Sequence, residues 1–230
     1  MQERKKVQGQ ERDSIVEIVY YTDPLCCWSW GLEPHWQKLK DRLGPILQWR
    51  YCMAGLIPDG NVFNDTVQSV SRPAQMGPVW MEASHLTGMP IRSDIWRTDP
   101  PSSSYLACIA VKCAEFQSKK AGEIYLGAIR KAVMAEGRNI AFQSTLSEIA
   151  IEIADEYPGL MDIAQFNDDL VSKEGKDAFV ADLQEVQRLA ITRLPTLIFR
   201  KPGRPSLITS GYKPYESLVG IVEELVPELK

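Results

Sequence analysis

The sequence predicts an α/β protein in which a strand–helix–strand unit and a strand–strand–helix unit are separated by a long helical segment. Apolar and β-branched residues fill 14–21 and return in alternation at 46–53, on either side of a helical pattern. Between 79 and 189, roughly a hundred residues show helical periodicity. Two short β-rich runs and an amphipathic helix then end the chain.

The first unit is a parallel one. Its first strand is expected at Ser14–Tyr21, and its helix should run from Cys26 to about Leu43 with an apolar stripe on one face. Pro34 lies inside this helix and should kink it. With a second strand at Ile46–Met53, the three elements predict a right-handed crossover. Residues 55–78 have no regular period and are expected to form a loop region with at most one short helix.

The middle of the chain is expected to be helical, and the β pattern returns late. Periodic apolar positions predict helices after the serine run 102–104 and at Ile124–Ala135, Leu146–Glu156, Ile163–Val171 and Ala178–Leu189. Thr196–Phe199 and Ser206–Thr209 flank a turn rich in proline and glycine, which predicts an antiparallel hairpin. Pro214 should open the last helix.

Three parts of the chain follow from these patterns. Residues 1–13 are mostly charged or polar and are expected to be a disordered arm. Residues 14–55 and 190–230 should form one α/β domain, because together they hold the strands. Residues 56–189 should form a loop and helical insertion.

Composition and charge exclude several classes of function. The chain is 44% hydrophobic with a net charge of −4, which argues against a nucleic-acid or anionic-membrane surface. Neither a signal-peptide pattern nor a membrane-spanning apolar run is found, so a cytoplasmic location is expected. Five cysteines and two histidines show no metal-ligand spacing, so neither a metal site nor a bound cofactor is predicted.

Cys26 is the candidate nucleophile, because it lies at the turn from the first strand into the helix. Backbone N–H groups and the dipole at a helix start stabilise a thiolate, so a lowered pKa is expected. Ser29 follows in the first turn and should donate a hydrogen bond toward this sulfur. Asp23 is either a proton acceptor near Cys26 or, as we favour, a turn residue before Pro24.

The other cysteines and the histidines are weaker candidates. Cys27 could form only a strained vicinal disulfide with its neighbour, whereas Cys52 and Cys113 fit core positions and Cys108 lies off the apolar face of its helix. His35 is about 13 Å along the helix from Cys26 and out of reach. His85 is either a residue that folds over the site or an ordinary surface or core histidine.

Aromatic side chains surround the candidate site in sequence. Trp28 and Trp30 suggest an apolar, substrate-binding rim around the sulfur, the alternative being helix packing. For Trp36, on the buried stripe, helix packing is the better interpretation.

The order of elements and two sequence stretches carry a resemblance to a known family. Tyr21 to Cys26 and Pro101 to Cys108 are similar to segments of the cytosolic DsbA-like group, whose relatives include kappa-class glutathione transferases and 2-hydroxychromene-2-carboxylate isomerases. The resemblance covers residues 14–229. It implies a thioredoxin-like fold with a large α-helical insertion between strand two and the cis-proline strand.

The resemblance also implies a second part of the site, at Leu194-Pro195-Thr196. Pro195 should be a cis proline that faces the cysteine helix and completes the catalytic site with Cys26 and Ser29, so that the backbone of Leu194 is free to pair with an extended substrate. Thr196 is a further predicted substrate-binding residue. From local sequence alone, a trans proline at the start of a strand would be favoured. The topology makes cis the preferred reading. Trp28 occupies the position that tunes the sulfur in this family.

This sequence departs from the family at the second cysteine. A dithiol enzyme of the group has Cys-x-x-Cys, whereas this chain has Cys26 and Ser29. Ser29 cannot resolve a mixed disulfide, so we expect a monothiol oxidoreductase or isomerase that uses glutathione or another external thiol as co-substrate.

Two alternatives to this activity stay open. One is a glutathione-dependent transferase or isomerase of small molecules, and the other is a non-catalytic adaptor that binds proteins. The partner is accordingly a disulfide-containing protein or a thiol. The sequence leaves the oligomeric state open, a homodimer included.

Overall fold

The computed structural model describes residues 15–59 and 72–229. The arm expected at 1–13 and much of the irregular region predicted at 55–78 lie outside these residues. Four strands form one sheet: β1 (Val16–Thr22), β2 (Leu47–Met53), β3 (Thr196–Arg200) and β4 (Leu207–Ser210). Their order is β2-β1-β3-β4.

The helices of the described residues begin and end as follows. They are α1 (Cys27–Leu43), α2 (Met76–Thr87), α3 (Ile95–Thr98), α4 (Tyr105–Gln117), α5 (Lys119–Met134), α6 (Gln143–Glu156), α7 (Ile163–Val171), α8 (Lys173–Arg188) and α9 (Tyr215–Leu225). Short 3₁₀ turns occupy Gly44–Ile46, Pro73–Gln75 and Pro227–Leu229. None of these described helices has the length and apolar character that crossing a membrane requires.

Strand β1 is the centre of the sheet. It pairs in parallel with β2, from Val16 opposite Leu47 to Thr22 opposite Met53, and antiparallel with β3. Glu17 is its one exposed residue, as a strand covered on both faces requires. Strand β1 ends at Thr22, and its residue Tyr21 is opposite Thr196, where β3 begins. The turn into α1 therefore lies at the same end of the sheet as the start of β3.

The helical segment between β2 and β3 confirms the predicted thioredoxin-like fold with its insertion. Helices α4 and α5 pack on each other, and α8 packs on β2. Helix α1 meets α2 of the insertion at Gly31, where an added Cβ would collide with the side chain of Thr87. Only glycine permits so close an approach of the two helices.

Several helix ends differ from the sequence expectations, since α5 begins at Lys119 rather than Ile124 and α8 at Lys173 rather than Ala178. Helix α1 begins at Cys27 rather than Cys26, which leaves Cys26 as its N-cap, while Pro34 lies inside the helix as expected. Helix α2 begins at Met76, inside the region expected to be irregular. The last helix begins at Tyr215, with Pro214 as its N-cap. Local sequence marks such ends only to within a few residues, because the first and last turns depend on tertiary contacts.

Candidate functional site

Cys26 lies at the junction of β1 and α1. Its backbone is extended (φ −81°, ψ 103°), and its carbonyl accepts the first helical hydrogen bond, from Trp30 N, at 3.1 Å. Its own N–H donates to the carbonyl of Asp23 at 3.1 Å. The residue is only 4% exposed. The position at a helix start is therefore as expected, but the sulfur is covered.

The expected lowering of the Cys26 pKa is wrong for this structure. Burial raises the pKa of the thiol to about 11, from an ordinary value of 9.0, although the side chain and backbone of Ser29 lower it. The nearby carboxylate of Asp23 raises it further, and the guanidinium of Arg130 lowers it. Removing water from the sulfur costs the thiolate more than these donors return. Cys26 is thus a protonated thiol near neutral pH.

Ser29 lies in the first turn of α1 and is fully buried. Its hydroxyl makes no hydrogen bond of acceptable geometry with the part of the chain that the structure describes. It nevertheless favours the thiolate of Cys26, because it is close enough to donate to a charged sulfur. Ser29 is therefore placed to stabilise a thiolate once one forms.

Asp23 is a buried carboxylate that ties the turn to the insertion. Its Oδ1 accepts from Leu25 N at 2.8 Å, which closes an Asx turn, and its Oδ2 accepts from Leu56 N at 2.7 Å. The hydroxyl of Ser104 and the thiol of Cys108 also donate to Oδ2, at 2.8 and 3.4 Å. Burial raises the pKa of Asp23, and these four donors counteract it. Asp23 is therefore a turn residue, as favoured from the sequence, and it also binds the insertion through Leu56, Ser104 and Cys108.

Arg130, on α5, places a buried positive charge beneath the same turn. Its guanidinium donates to Thr22 Oγ1 and, at 2.7 Å, to Glu33 Oε2 on α1. It also lies over the ring of Tyr20, 5.8 Å from the centroid. Arg130 therefore joins the end of β1 and the second turn of α1 to the insertion.

The peptide bond between Leu194 and Pro195 is cis, as the resemblance implies. The carbonyl of Pro195 accepts from Gly211 N at 2.7 Å. Gly211 has φ +75°, and an added Cβ would lie 3.2 Å from the Arg193 guanidinium. Thr196 Oγ1 donates to the carbonyl of Arg193 at 2.6 Å. The loop is thus held from both sides, and the Thr196 hydroxyl serves its internal structure.

A cleft of about 660 Å³ lies between α1, α2 and this loop, and we call it the cis-proline cleft. Trp28 and Leu194, two of the predicted substrate-binding residues, are among the residues that line it, together with Glu82, Leu86, Arg193 and Tyr212. His35 contacts the cleft wall through a 2.8 Å hydrogen bond between its Nε2 and the Tyr212 hydroxyl. Trp28 of the cysteine helix and Leu194 of the cis-proline loop therefore meet at this cleft, whereas Cys26, Ser29, Pro195 and Thr196 are not among the residues that line it.

Other predicted residues lie away from the cleft. The indole of Trp30 is buried and donates to the carbonyl of Pro90 at 3.1 Å, so it packs against the insertion. His85 is exposed on α2. All five cysteines are buried thiols, and burial raises the pKa of Cys52 and Cys113. In residues 15–59 and 72–229, no group of histidine, cysteine and carboxylate side chains has the arrangement of a metal site.

Sequence reasoning missed Arg130 and the reach of Asp23. A signal for Arg130 exists, since it lies four residues after Leu126 and three before Val133, on the apolar stripe of α5. A charge at such a position predicts a buried partner. No comparable signal links Asp23 to Ser104, because 81 residues separate them.

The sequence is similar to those of known proteins. A family profile described as Thioredoxin matches residues 20–219. The ClpXP adapter protein SpxH of Halalkalibacterium halodurans is 29% identical over 221 residues, which are 95% of this chain and 70% of that protein.

Two solved structures share the fold. A protein from Nitrosomonas europaea, described as a putative protein disulfide isomerase, matches with a TM-score of 0.77 at 19% identity, over 94% of this chain and 100% of that one. The cytosolic disulfide reductase DsbM of Pseudomonas aeruginosa matches with a TM-score of 0.66 at 22% identity, over 93% and 96%. The chain therefore belongs to the thioredoxin family, which the profile shows, and its fold is DsbA-like.

Proposed function

We propose that this protein is a thioredoxin-like adaptor that binds another protein and presents it to a ClpXP protease, without turning over disulfides. The state of Cys26 is the observation that carries the proposal. Its thiol is 4% exposed, with a pKa raised to about 11, and serine occupies the position of the second cysteine. The similarity to SpxH over 95% of the chain supports the same role. A cytoplasmic location is part of the proposal.

The chemistry of disulfide exchange explains why this site suits binding better than turnover. An attacking thiolate forms a mixed disulfide and expels one thiolate, and a second thiolate must then release the substrate. With a pKa of about 11 for Cys26, the thiolate fraction near neutral pH is very small. Ser29 has no sulfur for the second step. Both steps are therefore disfavoured, while the fold that presents the loop at Pro195 is complete.

Partner capture with and without the thiol tests the adaptor. The wild type and Cys26→Ala should recover the same proteins from cell extract, and recovery should not change when reductant is added. A recovered protein, once purified, should be degraded faster by purified ClpXP in the presence of either variant. If Cys26→Ala recovers nothing, or reductant releases the partners, the adaptor is contradicted and a covalent mechanism is favoured.

A second candidate is a monothiol reductase that uses glutathione. The position of Ser29 beside Cys26, with Trp28 and Leu194 lining one cleft, supports it. The thiolate of Cys26 would attack a substrate disulfide, form a mixed disulfide and expel one substrate thiolate. Glutathione thiolate would then attack the substrate sulfur of the mixed disulfide, which releases the Cys26 thiolate and gives a disulfide between glutathione and the substrate. Incubation with oxidised glutathione, followed by mass spectrometry, should detect a glutathione adduct on Cys26. An unmodified Cys26 would exclude this candidate.

A further inference from the structure

A groove of about 630 Å³ runs along β2, at the edge of the sheet opposite β4. Its floor is residues 48–51 of β2, and its wall comes from α4 and α5, including Phe116 and Lys119. We call it the edge groove. It shares no lining residue with the cis-proline cleft, so the two are separate features of the surface.

The backbone of β2 presents hydrogen-bonding groups to the edge groove. Ala54 N donates to the carbonyl of Thr22, so the backbone of residue 54 faces β1. Met53 N instead donates outward, to Asp182 Oδ2 at 2.9 Å. Pairing with β1 is unbroken along β2, and successive backbone groups of a strand alternate in direction. The N–H and C=O groups of Trp49 and Tyr51 therefore face away from β1, into the groove.

One end of this edge is already occupied within the chain. The Asp182 carboxylate accepts the Met53 N–H where a neighbouring strand would supply a carbonyl. Beside it, Glu185 on α8 binds Arg50 at 2.6 Å. Among the residues that the structure describes, none pairs with the outer edge of β2 from Leu47 to Tyr51, and at about 3.3 Å per residue this part accommodates an added strand of about five residues.

The side chains around the groove indicate the chemistry of the added strand. Phe116 is 48% exposed at its rim and offers an apolar contact. Lys112 is paired with Glu115, as Arg50 is with Glu185. Lys119 is exposed, and within residues 15–59 and 72–229 it forms no ion pair. An extended segment with apolar residues and one carboxylate matches this surface.

We infer that the edge groove binds an extended, apolar segment with one acidic residue, from a partner protein, as a fifth strand paired with β2. The inference rests on the proposed adaptor function, for which it names a docking surface. Unpaired strand edges recognise peptides in this way, main-chain hydrogen bonds giving affinity and side chains giving specificity.

Short peptides test the groove directly. The probes are fluorescent, end-blocked octapeptides of alternating valine and threonine, with one glutamate at each position in turn. Binding to the full chain is followed by fluorescence anisotropy. Peptides with the glutamate at some of these positions should bind. Backbone N-methylation of the tightest-binding peptide should abolish its binding, because N-methylation removes main-chain hydrogen-bond donors. Hydrogen exchange at the Trp49 and Tyr51 amides should slow in the complex.

Matched variants locate the binding. Phe116→Asp should weaken the best peptide at least about tenfold, because an apolar contact becomes a repelling carboxylate. Phe142→Asp, at a similarly exposed phenylalanine outside the groove, should leave affinity unchanged. Lys119→Glu should weaken the glutamate peptide about threefold or more, but not its glutamine counterpart. Both groove sites are exposed, and thermal unfolding checks that the variants fold.

The outcomes separate this inference from the adaptor proposal. Absence of peptide binding, or binding that Phe116→Asp leaves unchanged, overturns the edge groove. If Phe116→Asp still captures the same partners from extract, the adaptor function stands and its docking surface lies elsewhere. If no partner is captured by any variant while peptides bind the groove as described, the adaptor function fails and the peptide site stands.

Discussion

Replacing Asp23 with alanine tests whether the buried carboxylate holds the candidate site to the insertion. The change leaves two buried backbone donors without an acceptor, Leu25 N and Leu56 N. Each such orphan costs about 1–3 kcal/mol. Loss of the hydrogen bond from Ser104 costs less, because the Ser104 hydroxyl also lies 3.5 Å from the Ile57 carbonyl. Relief from burying a charge offsets part of the loss. We expect the free energy of unfolding to fall by about 2–4 kcal/mol.

Urea denaturation, followed by tryptophan fluorescence, measures the loss. A decrease of that size should lower the midpoint by about 1 M or more at an unchanged slope. Asp23→Asn should lose nearly as much, since its single amide oxygen cannot serve donors on both sides. The control is Asp41→Ala, which removes an exposed carboxylate that accepts a hydrogen bond from Gln37 one turn away and should change stability by less than about 0.5 kcal/mol. If Asp23→Ala also changes the free energy of unfolding by less than about 0.5 kcal/mol, the reasoning is refuted.

Three further predictions concern the site. The rate of Cys26 alkylation by iodoacetamide should rise with pH with a midpoint near 11, and a midpoint below 9.0 would contradict the structure. The stability that this thiol contributes should be fully present below pH 9.0 and lost as the pH rises through about 11. Arg130→Met should lower the free energy of unfolding by about 3 kcal/mol in chemical denaturation, because Glu33 and Thr22 lose a buried partner. Arg138→Met, which breaks exposed ion pairs, should cost less than about 1 kcal/mol, and equal losses would argue against the buried role. Ser29→Cys should leave the rate of insulin reduction by dithiothreitol within about twofold of wild type, because Cys26 stays covered and protonated even with a resolving thiol present; a rise of about tenfold would show that the missing second thiol alone prevents turnover.

The elements of the fold were predictable because local patterns mark them. Alternation at Leu47–Met53, helical periodicity at Ile163–Val171 and the turn before Leu207 each depend on near neighbours in sequence. The cis bond at Pro195 was different, since local sequence favours trans. Only the resemblance, which uses the order of the whole chain, indicated it.

The candidate site was predicted less completely than the fold. Position and residue type identified Cys26 and Ser29, since both depend on the start of one helix. The pKa of Cys26 was predicted in the wrong direction, because desolvation depends on what covers the sulfur. Trp30 was placed by proximity in sequence at the rim, and Pro90, 60 residues away, instead takes its indole N–H.

By itself, the sequence determined the order of strands and helices, the helix-start position of Cys26 and the absence of a second thiol at Ser29. These are covalent or local properties. The tertiary structure decided that the thiol is buried, that Asp23 and Arg130 tie the turn to the insertion, and that Trp28 meets Leu194 at one cleft. Each of these depends on residues brought together from distant parts of the chain, and burial sets the energy of every charge at the site.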